Sequence, residues 1–341
     1  MYLKLMNKDM TCKNGFQYEI GKTYELEGEL AFGRNGFHFC DNFSDCLFYK
    51  SNIYGDKRLF EVEPLGEIQK ACSCIKNVYA TDKIKIVGEI NIEDYLAEII
   101  NETGYLPEYI IEWQKLSEEF IIDFAEKLDW RYISKYQTLS EEFINKYENV
   151  VKWDYIFINQ NLSEEFIEKH KDKIRTWCDV FNFHNLSEKF IEKYINEITD
   201  WDKLWKRQKL SEYFIEKHEN KANWIIISKY QTLSEYFIDR YADKLNWRVL
   251  VEYQKLTERT MDRYSDKIDW YDACEYQKMS EQFIEDHKDM VDWTQVSKYQ
   301  KLSEHFIDKY QDYVDWASIC NYQELSEGFM HKHHIINYGE I

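Results

Sequence analysis

Between residues 116 and 325 the chain returns ten times to Leu-Ser-Glu or a close variant, at Leu116, Leu139, Leu162, Leu186, Leu210, Leu233, Leu256, Met279, Leu302 and Leu325. Successive starts lie 23 places apart, except for two steps of 24. So constant a period confines the fold to an array of like units, each supported by the units before and after it. A Trp follows every start but the last by fourteen or fifteen places, from Trp130 to Trp316. The two longer copies carry their extra residue just ahead of that Trp, at Arg175-Thr176 and Thr199-Asp200, which marks a loop.

Each unit reads as two short helices. The Ser of the triplet, replaced once by Thr257, is a preferred N-cap. Leu116 before it is placed to pack on Ile121 as a hydrophobic staple. Glu118 and Glu119 occupy the first turn, where the helix dipole favours negative charge. Phe120, Ile121, Phe124 and Leu128 recur at helical spacing and define a buried face. The second helix opens at Asp-Trp. Asp129, Asp200, Asn223, Asn246, Asp269, Asp292 and Asp315 stand at its N-cap, with Lys152 and Thr176 as exceptions. Trp130, Ile133 and Tyr136 follow as its apolar positions. Helices this short are unstable alone in water, so the expected architecture is a solenoid. Leu106 to Gln114 reads as a lone second helix capping its front, and the closing HKHHIINYGEI as its other cap.

The first ninety residues have a different texture. Helical periodicity gives way to strand-like runs, MYLKLM, FQYEI, KTYEL, GFHFC, CLFYK, RLFEVE and KIKIVGEI, punctuated by glycines. The predicted fold is therefore α+β: a small β-rich domain over 1–90, a helical joint and N-terminal cap over 91–115, and an all-α solenoid of about ten two-helix repeats over 116–341.

Of the 341 residues, 44% are hydrophobic, ample for a core. The net charge of −19 is uneven. Residues 1–90 hold 12 basic against 13 acidic side chains, and the rest of the chain 32 against 50. Such a surface repels phosphates, which excludes direct nucleic-acid binding along its length and suits a protein partner with a basic surface. No apolar run is long enough to span a membrane. The opening MYLKLMNKDM has no secretion-signal core, so a cytosolic location is expected. The eight cysteines show no CxxC pair and read as reduced thiols. Cys40, Cys46, Cys72 and Cys74 with His38 could be drawn together around zinc, but at no familiar ligand spacing, so no metal or other cofactor is expected.

Three columns bear on function. Gln114, Gln137, Gln160, Gln208, Gln231, Gln254, Gln277, Gln300 and Gln323, interrupted by His184, suit a side-chain bridge to backbone at each junction; a polar ladder for an extended ligand is the alternative. His170, His218, His287 and His333 share a column with Tyr147, Tyr194, Tyr241, Tyr264 and Tyr310, as an amphipathic ring between helices would. Glu118, Glu141, Glu164, Glu188, Glu212, Glu235, Glu258, Glu281, Glu304 and Glu327 form an unbroken column. Helix-terminus electrostatics explain it, and carboxylates in register could also imitate a phosphate backbone and contact a partner.

The residues NKDMTCKNGFQYEIGKTYE, NGFHFC, RLFEVEPLGEI and KIKIVGEI, spanning about 1 to 90, resemble a module of unknown function found in bacteriophage and prophage proteins, often ahead of repeat arrays. The downstream units are similar to the LSEEFI-type repeats, of the same period, in large-virus and phage proteins. The resemblance implies a viral or prophage origin and transfers no catalytic residue. The expected function is non-catalytic engagement of a host or viral macromolecule by the acidic repeats, inhibition of a host defence or nucleic-acid-binding factor being one form of it. The alternative is a nucleotide-binding or nucleotide-modifying enzyme in the N-terminal domain, targeted by the array.

Overall fold

The computed structural model describes residues 1–12, 15–32, 34–49, 57–71 and 77–334. The chain divides into two compact units, Met1–Arg175 and Thr176–Ile341.

The first unit opens with an antiparallel sheet of seven strands. They are β1 (Tyr2–Asn7), β2 (Thr23–Glu25), β3 (Phe37–Cys40), β4 (Lys57–Pro64), β5 (Ile68–Lys70), β6 (Val78–Thr81) and β7 (Lys83–Ile90), in the order β2-β7-β4-β1-β3-β6-β5. The central strand β1 is buried from Leu3 to Met6, so both faces of the sheet are covered there. Met6, Tyr18, Phe37, Phe39, Phe60, Val62, Ile84 and Ile86 form one core. Helix α1 (Phe43–Tyr49) packs against β1, β3 and β6. A register shift between Glu61 and Val62 of β4 skips Val87 on β7 and leaves that side chain exposed.

Two of the strand expectations fail. FQYEI adds only an isolated bridge, Thr11 to Gln17. CLFYK lies mostly in helix α1, its Lys50 falling outside the described residues. The reason is a start signal upstream: Asn42 Oδ1 accepts the Asp45 N–H at 2.9 Å, while Asn42 Nδ2 donates to Asp45 Oδ2 at 2.6 Å. That reciprocal pair nucleates a helix despite the β-prone residues behind it.

The same unit continues into α2 (Ile92–Thr103) and α3 (Glu108–Trp113). Asn91 caps the start of α2, and Gly104 ends it at φ 84°, donating to Ile100 O. Tyr109 bonds the Ser44 hydroxyl, fastening α3 to α1. From α4 (Glu118–Asp123) and α5 (Trp130–Tyr136) onward, six-residue first helices alternate with seven-residue second helices as far as α22 (Glu327–Lys332). Second helices stack on second helices: α3, α5 and α7 (Trp153–Asn159) in the first unit, and seven of them from Trp177–Phe183 to Trp316–Tyr322 in the second. Each hides at least one residue completely on its inner side, Ile133, Ile156, Val180, Leu204, Ile227, Leu250, Ala273, Val296 and Ile319 in turn from α5 onward. The C-terminal residues 335–341 of the cap expectation lie outside the described residues.

Every repeat Ser, from Ser117 to Ser326, accepts the N–H three places on, and Thr257 does the same. Thr176, an expected exception, in fact caps its helix by accepting the Cys178 N–H at 3.3 Å. Lys152 does not cap; its own N–H is taken up by Ser134 Oγ at 2.9 Å. The extra residue at Arg175-Thr176 follows a 3-10 turn, Lys171–Lys173, and the one at Thr199-Asp200 follows another, Ile195–Glu197.

Candidate interaction surface

The glutamates of the column are half-buried, apart from the exposed Glu235 and Glu327. Glu118 accepts the Ser140 N–H at 2.5 Å and the Ser140 hydroxyl at 3.1 Å, so its carboxylate completes the N-cap of the next layer. Glu141 does this for Ser163, Glu188 for Ser211 and Glu212 for Ser234. Glu258, Glu281 and Glu304 accept the N–H of Ser280, Ser303 and Ser326, each at 2.5 Å, and Glu235 takes the Thr257 hydroxyl. Charge-assisted bonds of this kind are short and hold neighbouring layers in register. One member of the series escapes the repeat pattern. Glu93 on α2 receives the Ser117 N–H at 2.6 Å and its hydroxyl at 2.8 Å. It stands two places after the cap residue Asn91 rather than one, which removes it from a search for Ser-Glu.

The glutamines are bridges. Gln137 Nε2 donates to Ile111 O at 2.5 Å and Gln114 O at 2.8 Å, while its Oε1 accepts the Leu116 N–H at 2.8 Å. The three bonds recur at Gln160, Gln208, Gln231, Gln277, Gln300 and Gln323. The amide thus satisfies the last carbonyls of one helix and the entry of the next. His184, in the same column, is buried.

The Trp rings are half-buried for the most part rather than enclosed as core residues. Trp130, Trp153, Trp247, Trp270, Trp293 and Trp316 each donate the indole N–H to a carbonyl five places earlier. Each lies against the Tyr or His ring that follows: Trp224 on Tyr241 at 4.9 Å, Trp270 on His287 at 5.0 Å, Trp316 on His333 at 4.8 Å. The histidines thus act as rings with a polar tip. His218 Nε2 meets Glu192 at 2.8 Å, and His333 Nε2 meets Asp308 at 2.6 Å. Outside them runs a ladder of ion pairs, Lys217–Glu192 at 2.9 Å, Arg240–Glu216 at 2.9 Å and Lys309–Glu285 at 2.5 Å among others. Such pairs are individually weak at an exposed surface.

Most of the large apolar side chains that the second unit exposes are tyrosines. Tyr230, Tyr253, Tyr276, Tyr299 and Tyr322 close five successive second helices and are 42%, 46%, 48%, 43% and 58% exposed. Sequence spacing puts their column on the apolar face with Trp130 and Ile133. The geometry corrects this: the inward line along each helix runs from the Ile133 position to the Gln137 position four places on, which turns the Tyr136 position aside. The tyrosines carry cations of the array itself. Lys229 Nζ lies 3.9 Å from the Tyr253 ring centre, Lys206 5.4 Å from Tyr230, and Lys298 4.7 and 5.5 Å from Tyr299 and Tyr322.

In the N-terminal sheet, His38 lies edge-on to Phe32, with ring centres 5.1 Å apart. Burial and then the neighbouring Lys4 ammonium push its imidazole down to about 4. Lys4 is buried and donates to His38 O at 2.5 Å. Because folded His38 resists protonation below the ordinary value near 6.5, its contribution to stability is complete above that value and is lost as pH falls from about 6.5 toward 4. A nuclear magnetic resonance titration of the full chain is expected to give a His38 midpoint near 4; a midpoint above 6 would mean the ring is wet. Cys40 and Cys46 are buried free thiols, and hydrogen bonding to Cys46 together with burial raises the Cys40 thiol. Cys72 and Cys74 of the zinc expectation lie outside the described residues. Among the described residues no three His, Cys, Asp or Glu side chains are gathered as a metal site, and no helix is long and apolar enough to cross a membrane.

Sheet and array together make this an α+β protein with a helical-repeat region. Residues 1–98 match a family described as a domain of unknown function, DUF7666. That match runs through the sheet and into α2. No curated protein matches the sequence.

Proposed function

We propose that the protein is a non-catalytic binding protein of viral or prophage origin, working in the cytosol of the host cell, whose repeats engage a macromolecular partner with a basic surface. The observation that carries this reading is the row of exposed tyrosines from Tyr230 to Tyr322. These rings stay about half exposed even though lysines of the array lie against four of them, and exposed aromatics are the side chains that most often anchor a partner. Around them the second unit carries 31 acidic against 22 basic side chains, a field that draws in a cationic partner. The glutamate column contributes to that field while its carboxylates cap the neighbouring layers.

The test is photo-crosslinking from within cells that make the full chain. A photoreactive residue in place of Tyr253 is expected to give discrete protein adducts, diminished at high salt. The same residue at Lys221, off the row, is expected to give none of them. Identical adducts from both sites would remove the row as the contact surface. Turnover of labelled NAD or nucleoside triphosphate by the full chain would replace this reading with the enzymatic alternative.

A further inference from the structure

Four of the five rungs of the tyrosine row already hold a cation. Lys206 and Lys229 flank the Tyr230 ring at 5.4 and 5.5 Å, Lys229 covers Tyr253, and Lys298 serves Tyr299 and Tyr322. Within the row, each lysine that reaches the next layer's ring stands 24 places before it, as Lys206 does for Tyr230, Lys229 for Tyr253 and Lys298 for Tyr322. Tyr276 differs. The residue 24 places before it is Glu252, its own neighbour is Glu275, and among the described residues no lysine or arginine covers its ring. The carboxylates here are mutually unfavourable. Asp272 is raised by burial and by Asp269, with Glu275 and Glu252 adding to it, while Arg248 at 3.5 Å opposes them. The middle rung therefore has the aromatic face and an excess of negative charge, without the cation that its neighbours supply.

We propose that the tyrosine row is a docking track for an extended, proline-containing basic peptide segment, which places an arginine or lysine over Tyr276 between Glu252 and Glu275. Two arguments select this occupant. The first is charge complementarity, since a cation over Tyr276 repeats what Lys229 does at Tyr253 and relieves the carboxylates beside it. The second is pitch. Packed helices stand roughly 8–10 Å apart, and a polyproline II strand repeats every third residue at about 9 Å. Every third residue of such a strand meets the next ring, and aromatic tracks favour this pre-extended backbone because little entropy is lost on docking. The proposal rests on the binding reading above and names its partner chemistry.

The test uses the full chain and a fluorescein-labelled twelve-residue proline peptide with a single central arginine, read by fluorescence anisotropy. Saturable binding is expected. Tyr276→Ala is expected to weaken it at least ten-fold. Glu252→Lys, which restores an internal lysine at the same spacing ahead of Tyr276 that Lys229 has ahead of Tyr253, is expected to weaken it at least as much. Asp266→Lys makes the same charge change in an exposed turn off the row and is expected to stay within two-fold of the parent. Equal losses for Glu252→Lys and Asp266→Lys would reduce the effect to net charge and overturn the proposal. So would equal binding of a Gly-Ser peptide of the same length with the same single arginine, or absence of saturable binding. Dichroism of each variant checks that the helices persist. If the peptide fails while cellular crosslinks at Tyr253 remain, this inference falls and the binding reading stands.

Discussion

Trp205→Ala is expected to destabilise the second unit by about 3–5 kcal/mol, the range for emptying a fully enclosed indole site. Trp205 has no exposure, lies 5.5 Å from Trp201 and 5.9 Å from Phe214 between ring centres, and donates its indole N–H to Lys221 O at 3.0 Å. The mutation leaves both a cavity and a carbonyl without its donor, and neighbouring layers are tied by too many bonds to collapse into the space. Urea unfolding followed by helical dichroism measures the loss. A change under about 1 kcal/mol would show that this layer relaxes freely, contrary to the close packing described.

Gln277→Ala should be nearly as damaging although glutamine is polar and its column lies beside the surface tyrosines. Its side chain donates to Val251 O and to Gln254 O at 2.7 Å and accepts the Leu256 N–H at 2.9 Å, and it is buried. Each buried backbone group left without a partner costs roughly 1–3 kcal/mol, so a total of about 3 kcal/mol or more is expected. Gln277→Glu should rescue little. The carboxylate could still accept from Leu256 but would face two carbonyls it cannot serve. Hydrogen exchange at the Leu256 amide reads the effect directly. Unchanged protection in the alanine variant would remove the bridge from the account of how layers join.

The array was legible because its constraint repeats. A Ser that caps, an Ile or Val on the inner line and a Gln at the junction each recur with the layer, so local chemistry and long-range packing make the same demand at every copy. The N-terminal sheet was only partly legible. Runs such as RLFEVE and KIKIVGEI did become β4 and β7. The short β5 and β6 were missed because Val78–Thr81 is held by pairing with the distant β3, and Ile68–Lys70 by pairing with β6 in turn, rather than by their own pattern. CLFYK became helical through Asn42 and Asp45, where a cap upstream of the run outweighs the β-prone residues within it. For the candidate surface, the Glu column was visible but not its bonding, because spacing along a chain does not say which side chain reaches the next layer. The tyrosine row was visible too, yet its place three positions after Ile133 suggested burial where geometry turns the ring outward. The absent cation at Tyr276 required knowing where Lys229 and Lys298 lie.

The bonds between layers run in opposite senses: glutamate lends its oxygens to the layer after it, and glutamine reaches back to the one before. Within each unit, and apart from the layer where His184 replaces the glutamine, the junctions thus end in the same two sockets. Excising or duplicating one whole repeat rejoins matching halves and creates no novel interface. Copy number is therefore free to drift through unequal recombination, adding or removing layers within a unit without asking any residue to change.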